Sequence, residues 1–359
     1  MNQRRSQTNA TMEAGQAIAP DCGRRALDLL FDSMMIDECW STREERAFQW
    51  WGQGVAQRAW AEPPREDLGE PVSLVHVETD FLRNVEDSDK TYEELNRLQT
   101  LSALCAFIYL PSEKKIRMHS TAYLHEGNYS WISRLLLNVA GLQLLTASDC
   151  PGLKVFFEGA EPDITAHPVN GYRESVDELI EGLIGFYSTA YKTPLKVPRG
   201  GFKEVCRLLK GFNVLAFSGK AGLTAEFHFV GDHPALARQM AGKTGVETSL
   251  YKALVDEKHV IFGHGLTSLL TLPVEKQRVE GLRWCNSMNL LESREWTGFH
   301  LLGAWSTTPH DENSVLLVHG GFLPAFPVQP ELVLNLALAN GLRSKWASSR
   351  LGYVGGNPI

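Results

Sequence analysis

The sequence predicts an α+β chain made of two tandem domains, each an antiparallel sheet with packed helices. Three observations predict it. A strand, polar turn, strand unit occurs twice, as "LCAFIYLPSEKKIRMHSTAYLH" and "LLGAWSTTPHDENSVLLVHGGFLP". Each copy is followed by a helical pattern of similar length and preceded by a strand and a helix, which is a two-copy repeat at the level of pattern. Between the copies, "KTPLKVPRGG" (192–201) gathers Pro and Gly, the residues that interrupt regular structure.

Each element follows from its own spacing. "RRALDLLFDSMMI" (24–36) places Leu27, Leu30 and Phe31 on one helical face with Met34 and Met35. A second helix is expected over Arg43–Ala61, ended by "EPPRED". "VSLVHVETDFL" (72–82) alternates as a strand and "TYEELNRLQ" reads as a short helix. The first repeat unit follows, with Ile116, Met118, Ser120, Ala122 and Leu124 on one face. "NYSWISRLLLNVAGLQLLTAS" is a mostly buried helix with Ser130 as its N-cap. "GLKVFFE" reads as a strand, and 175–191 as a helix with a Ser175/Glu178 capping box. The second half is expected to run helix 202–210, strands "NVLAFSG" and "LTAEFHFV", a short helix near 234–241, strands 249–256 and "LTSLLTLPV", helix 275–290, the hairpin of 299–326, and a final helix with Pro330 in its first turn. The divisions are a disordered lead (1–22), a first domain (23–192), a linker (193–201), a second domain (202–350) and a tail (351–359).

Length, composition and charge narrow the function. A chain of 359 residues suits two domains with cores large enough to need no staples. The net charge of −7 argues against nucleic acid as the main partner, because phosphate binding needs a clustered basic excess. No apolar run reaches membrane-spanning length, so no membrane partner is expected. The polar N-terminus lacks a secretory signal, and the six cysteines are scattered without a CxxC pair. Both features point to a cytoplasmic protein.

The second half, with "GHGLTSLLTLPV", "NLLE", "LLGAW" and "GFLPAF", resembles the type III secretion chaperone-like fold, a superfamily that includes the YbjN-like proteins. The resemblance covers roughly 202–349, and about 72–148 of the first half, where "AFIYLP" stands in place of "GAW". It implies an α+β domain that binds polypeptide, often as a dimer, without catalysis, and it supplies no catalytic residue.

Motifs with chemistry are sparse. The tip "TPHDEN" is what hairpin turns contain, so it reads as framework. Among eleven histidines, His119 and His125 are six apart on one strand, roughly 20 Å, too far to share an ion. His259 and His264 approach only if Gly263 bends the chain. His300 and His319 sit on facing strands and are the candidate metal ligands, with no obvious third. "SGKAG" lacks the first glycine of a phosphate loop, Val214 standing there, and lacks the Ser/Thr after the lysine. "GHGLTS" lacks a third glycine, "EDSDKTYEE" lacks calcium-loop spacing, and no GxSxG is present. Glu94, Glu292 and Asp256 are acids that nothing in the sequence pairs.

Tryptophan is the remaining signal. Trp50, Trp51, Trp60 and Trp305 are the candidate anchors for a partner, set against ordinary core packing. The leading expectation is a non-catalytic module for a protein or peptide partner, with no cofactor. It would be a monomer whose halves meet about an internal pseudo-two-fold axis. The alternatives are an enzyme with a metal or acid–base site in the cleft between the halves, and a structural subunit of a larger assembly.

Overall fold

A computed structural model describes residues 21–67, 69–148, 150–183, 200–212, 214–219, 222–228, 248–259, 261–299, 302–324, 329–351, 353–354 and 357–358. The chain is mixed α+β, with one eight-stranded and one six-stranded antiparallel sheet and a short terminal strand pair. Residues 1–20 of the expected lead (1–22), most of the linker (193–199), the helix near 234–241 and half of the helix at 175–191 lie outside the described residues, while Cys22, placed in the lead, begins the first helix.

The first half starts with α1 (Cys22–Ser33), capped by the Asp21 side chain, which accepts from the Arg24 N–H. Strands β1 (Ser41–Glu44), β2 (Ala47–Trp51), β3 (Ala56–Ala61), β4 (Arg65–Asp67) and β5 (Glu70–Arg83) follow. Then come α2 (Asp89–Leu101), β6 (Ala106–Leu110), β7 (Lys115–Leu124), α3 (Tyr129–Ser148), the short α4 (Cys150–Leu153) and the two-residue β8 (Glu161–Pro162). The main strand order is β1-β2-β3-β5-β7-β6.

The second half runs α5 (Gly201–Gly211), β9 (Leu215–Ser218), β10 (Gly222–His228), β11 (Thr248–His259), β12 (Gly263–Gln277), α6 (Arg278–Arg294), β13 (Ala304–Pro309), β14 (Ser314–Pro324) and α7 (Pro330–Ser348). Its order is β9-β10-β11-β12-β14-β13. Strand for strand, the two orders are the same, and α2 and α6 occupy the same place in the chain.

Several readings need correction: Ser130 is not the N-cap of α3 but lies inside it, since the helix begins at Tyr129, and Met35 follows the end of α1 and is exposed rather than on its buried face. Residues 43–61 form strands, not a helix. Their alanines suit helix, but side chains alternating between faces put Phe48 and Trp50 into the core under α1, where close packing overrides local propensity. Residues 152–158 are a helical turn, not a strand. The Ser175 cap is replaced by Asp177, whose carboxylate accepts from the Leu179 N–H.

In each half the outer helices cover one sheet face. α1 and α3 bury Leu30, Phe31, Leu135 and Val139 against the first sheet; α5 and α7 bury Val205, Leu209, Val333 and Ala337 against the second. The opening of the second hairpin needs glycine. Gly303 has φ +141°, and a Cβ there would lie 2.2 Å from the Gly320 carbonyl oxygen. The hairpin tip is an Asx turn: Asp311 accepts from the N–H groups of Asn313 and Ser314. Among the described residues no helix is long and apolar enough to cross a membrane.

The halves meet through equivalent parts. β6 and β13 are edge strands, whose outward N–H and C=O groups need partners when buried. The carboxamide of Gln99 on α2 bonds both backbone groups of Phe107 in its own half. Asn289 on α6 does the same for Trp305. Three residues earlier on each helix an asparagine crosses over. Asn96 bonds both backbone groups of Thr307, and Asn286 both of Tyr109. The exchange is reciprocal, as in a two-fold contact. Trp296 adds to the seam, with its ring against Tyr123 and under the Arg65 guanidinium.

Candidate functional site

The clamps fix which residues correspond. If Phe107 matches Trp305, strand pairing matches Trp60 to Leu254, His76 to Thr267, Glu78 to Leu269, Asp80 to Thr271, Arg117 to Val318 and His119 to Gly320. All lie on the sheet face opposite the outer helices. The first sheet fills these places with ionisable and aromatic groups, the second with neutral ones. The fold is built both ways, so it does not require the ionisable set.

That set is one contiguous network. Trp60 stacks on His76 with centroids 4.6 Å apart and planes 7° from parallel. Arg58 lies over the same indole. His76 Nδ1 is 3.3 Å from His119 Nε2, and His119 Nδ1 is 3.4 Å from Glu78 Oε2. Thr121 Oγ1 is 3.1 Å from His119 Nε2 and 3.3 Å from His76 Nδ1. His76 Nε2 lies 3.4 Å from Glu62 Oε1, close but out of line for a good hydrogen bond. Arg117 pairs with Glu78, Asp80 and Glu113.

Burial and charge compete here. Burial holds His76 below the usual histidine range, against the pull of Glu62. Contact with His76 holds Glu62 low. Burial pushes Glu78 up, but His119, Arg117 and Arg58 outweigh it and the net direction is down. Asp80 goes the other way: burial, then the neighbouring Asp163 charge, pushes it up to about 6 despite Arg117.

The network opens onto a cleft between the halves. Trp60, Glu78, Arg117 and His119 line it from the first sheet, with Ile108 and Leu110 from β6, and α6 closes it with Leu290, Ser293 and Arg294. The cavity is about 170 Å³. Small-molecule sites commonly run to roughly 300–1,000 Å³, so this one is small.

The four tryptophans put forward as anchors separate sharply. Trp50 and Trp305 are 0% exposed and Trp51 3%. They are core residues with no surface for a partner. Their indole N–H groups donate inside the protein, to Gln57, Glu292 and Thr165 respectively. Only Trp60 is half-buried and reaches the cleft.

Of the metal candidates, His300 lies outside the described residues. His319 is buried edge-on to Trp305 and held well below the histidine range by burial and by the Arg343 charge. Among the described residues no three His, Cys, Asp or Glu side chains are arranged to hold a metal ion. Glu292, unpaired in the sequence reading, is paired. It accepts from Arg343 Nη2 at 2.8 Å and from the Trp305 indole N–H, wholly inside the second core. Burial still pushes its carboxyl up.

Sequence reading missed His76, Glu78 and Arg117 of this network, and weighed His119 only as a metal partner of His125. Their signal was alternation: "HVETD" and "RMHST" put charged groups on one face of strands whose other face is apolar. Compared with known proteins, the chain matches no family model, no curated protein and no solved structure.

Proposed function

We propose that the chain is a non-catalytic module that binds a polypeptide, with the cleft at Trp60, Ile108, Leu110 and Leu290 receiving one anchoring side chain. The observation that carries this is the cavity: about 170 Å³, the size of a side-chain anchor, with Trp60, Ile108, Leu110 and Leu290 set among the polar Glu78, Arg117, His119, Ser293 and Arg294. The helix, strand and helix order repeated in the two halves supports the resemblance to chaperone-like domains, whose function is to hold polypeptide. It also supports the reading of the chain as two fused copies meeting about an internal two-fold axis.

The test places a photo-cross-linking residue at Arg294, on the cleft rim, and separately at Thr271, the place on the second sheet that matches Asp80. Cross-linking in the source cell should yield a polypeptide adduct from position 294 and none from 271, and the adduct should vanish when Glu78→Leu is added. Equal yields from both positions, or no polypeptide adduct at 294, would overturn the reading.

A further inference from the structure

The two main sheets have four edge strands, and three of them are closed. β6 and β13 are met by the asparagines of the other half. β1 is closed by charge and by cover. Its sequence, "STRE", carries Arg43 and Glu44, and Arg43 pairs with Asp28 on α1. Residues 167–170 lie beside it: the Asn170 carboxamide donates to the Cys39 carbonyl, and His167 Nε2 is 3.4 Å from the Ser41 carbonyl oxygen. The fourth edge, β9, has neither device. It ends the strand order of the second sheet, and among the described residues no strand pairs with its outer side. Residues 211–218, "GFNVLAFS", contain no charged side chain. Three of the apolar ones are exposed: Phe212 by 61%, Leu215 by 43% and Phe217 by 55%.

Strand pairing carries the match between the halves out to these edges. Thr42 and Arg43 hold the places of Phe217 and Ser218, which sets Trp40 in the place of Leu215. The first half has one apolar ring there and covers it. His167 packs edge-on to the Trp40 indole, and the Arg173 guanidinium lies over it. We propose that a second copy of this chain covers the β9 edge, β9 pairing antiparallel with β9 of the other copy about a two-fold axis at Ala216, so that the six-stranded sheet continues into its mate. The strand is its own complement. Ala216 is 4% exposed and belongs to the core under α5, so its neighbours Leu215 and Phe217 share the opposite face. The two-fold sets Leu215 across from the partner's Phe217, and Phe217 across from the partner's Leu215. With no charge in residues 211–218, no like charges meet across the axis. If a large apolar side chain offers about 200 Å², the exposed parts of Phe212, Leu215 and Phe217 come to roughly 600 Å² over two copies. That is about half of a standard interface of about 1,200 Å² or more, before the strand backbones and their flanks are counted. The dimer is therefore reversible, and its population follows concentration. It uses a surface apart from the cleft and does not rest on the proposed function.

Sedimentation of the full chain from about 1 to about 100 μM tests the proposal. The weight-average mass should rise with concentration from 40.0 kDa toward twice that value. Phe217→Glu sets a carboxylate on each side of the axis and should hold the mass at 40.0 kDa over the whole range. Thr42→Glu, at the matching place on β1, should leave the rise unchanged. If Phe217→Glu fails to fold, amide hydrogen exchange of the unsubstituted chain still decides: the outward N–H groups of β9 should exchange several-fold more slowly at the high end of the range than at the low end. A mass of 40.0 kDa at every concentration would overturn the proposal, and is the result expected if the edge instead receives an extended segment of an unrelated protein. A rise that survives Phe217→Glu, a rise lost in Thr42→Glu, or β9 exchange independent of concentration would overturn it as well.

Discussion

Trp60, His76, Glu78, Asp80, Arg117 and His119 hold, on the first sheet, the places that Leu254, Thr267, Leu269, Thr271, Val318 and Gly320 hold on the second. The core faces differ in the opposite sense. There the second half carries the buried charges Glu292 and Arg343 beside His319, while the first half has Phe107 and Met118 at the places of Trp305 and His319. One half has its ionisable groups at a cleft and the other has them locked in its core. Charges in the core act on stability alone. Charges at a cleft are available to a partner, at little cost to the fold. The comparison teaches which polar cluster to assign to function when no relative is at hand.

The largest expected effect lies in the locked cluster. Glu292→Ala leaves the Arg343 guanidinium buried without its carboxylate and should destabilise by about 3–5 kcal/mol. Trp305→Ala opens a cavity in the same core and removes a donor to Glu292, for a similar loss of about 3–5 kcal/mol. Chemical denaturation measures both, and a loss under 1 kcal/mol for either would place the cluster outside the stabilising core.

The clamps come next. Asn286→Ala orphans the N–H and C=O of Tyr109, and Asn96→Ala those of Thr307. Each should cost roughly 3 kcal/mol, since an unmet buried polar group costs about 1–3. The reciprocal geometry makes a sharper demand: the two losses should be similar, and the double variant should expose both edges and self-associate. Light scattering of the double variant checks this; a monodisperse double variant of unchanged size would refute it.

Much of this architecture was legible in the sequence. The paired hairpins, α2, α3 and α7 all follow from periodicity, because long amphipathic patterns record which face is buried. Residues 43–61 were not legible, since Ala, Gln and Trp at that spacing satisfy both helix and strand periods until the α1 contact selects one. The clamps were visible only as "NRLQ" and "NSMN" on two helices, and amides on helices ordinarily face water. The candidate site was the least legible. His76 and His119 lie 43 residues apart and meet only because β5 and β7 pair in this register.

A smaller effect tests the charge of the cleft. Asp80 is raised to about 6 in the folded chain from an ordinary 3.8, so folding takes up a proton between those values. Above pH 6 its ionised form is a net cost; stability from this group rises as pH falls through 6 and levels off below 4. His76 and His319, held low when folded, work in the opposite direction and lose stability as pH falls below 6.5. The difference between Asp80→Asn and the unsubstituted chain isolates the carboxyl. The variant should be more stable by about 2 kcal/mol at pH 8, with the gain fading through pH 6 and gone near 4. A pH-independent difference would mean the carboxyl is not raised.

The smallest expected change in stability is the most informative. Glu78→Leu with His76→Thr installs the residues the second sheet carries at the matching places. A buried polar network replaced by neutral groups of suitable shape is often neutral or stabilising, because the cost of desolvating charge disappears with the charge. The second sheet already folds with Leu269 and Thr267 there. The double variant should therefore keep its stability within about 1 kcal/mol while losing partner cross-linking from position 294. Here stability and binding come apart, which neither the core cluster nor the clamps can produce. Thermal unfolding and cross-linking of the same preparation decide it. A loss of several kcal/mol would make the network part of the framework, and retained cross-linking would move the partner site away from this cleft.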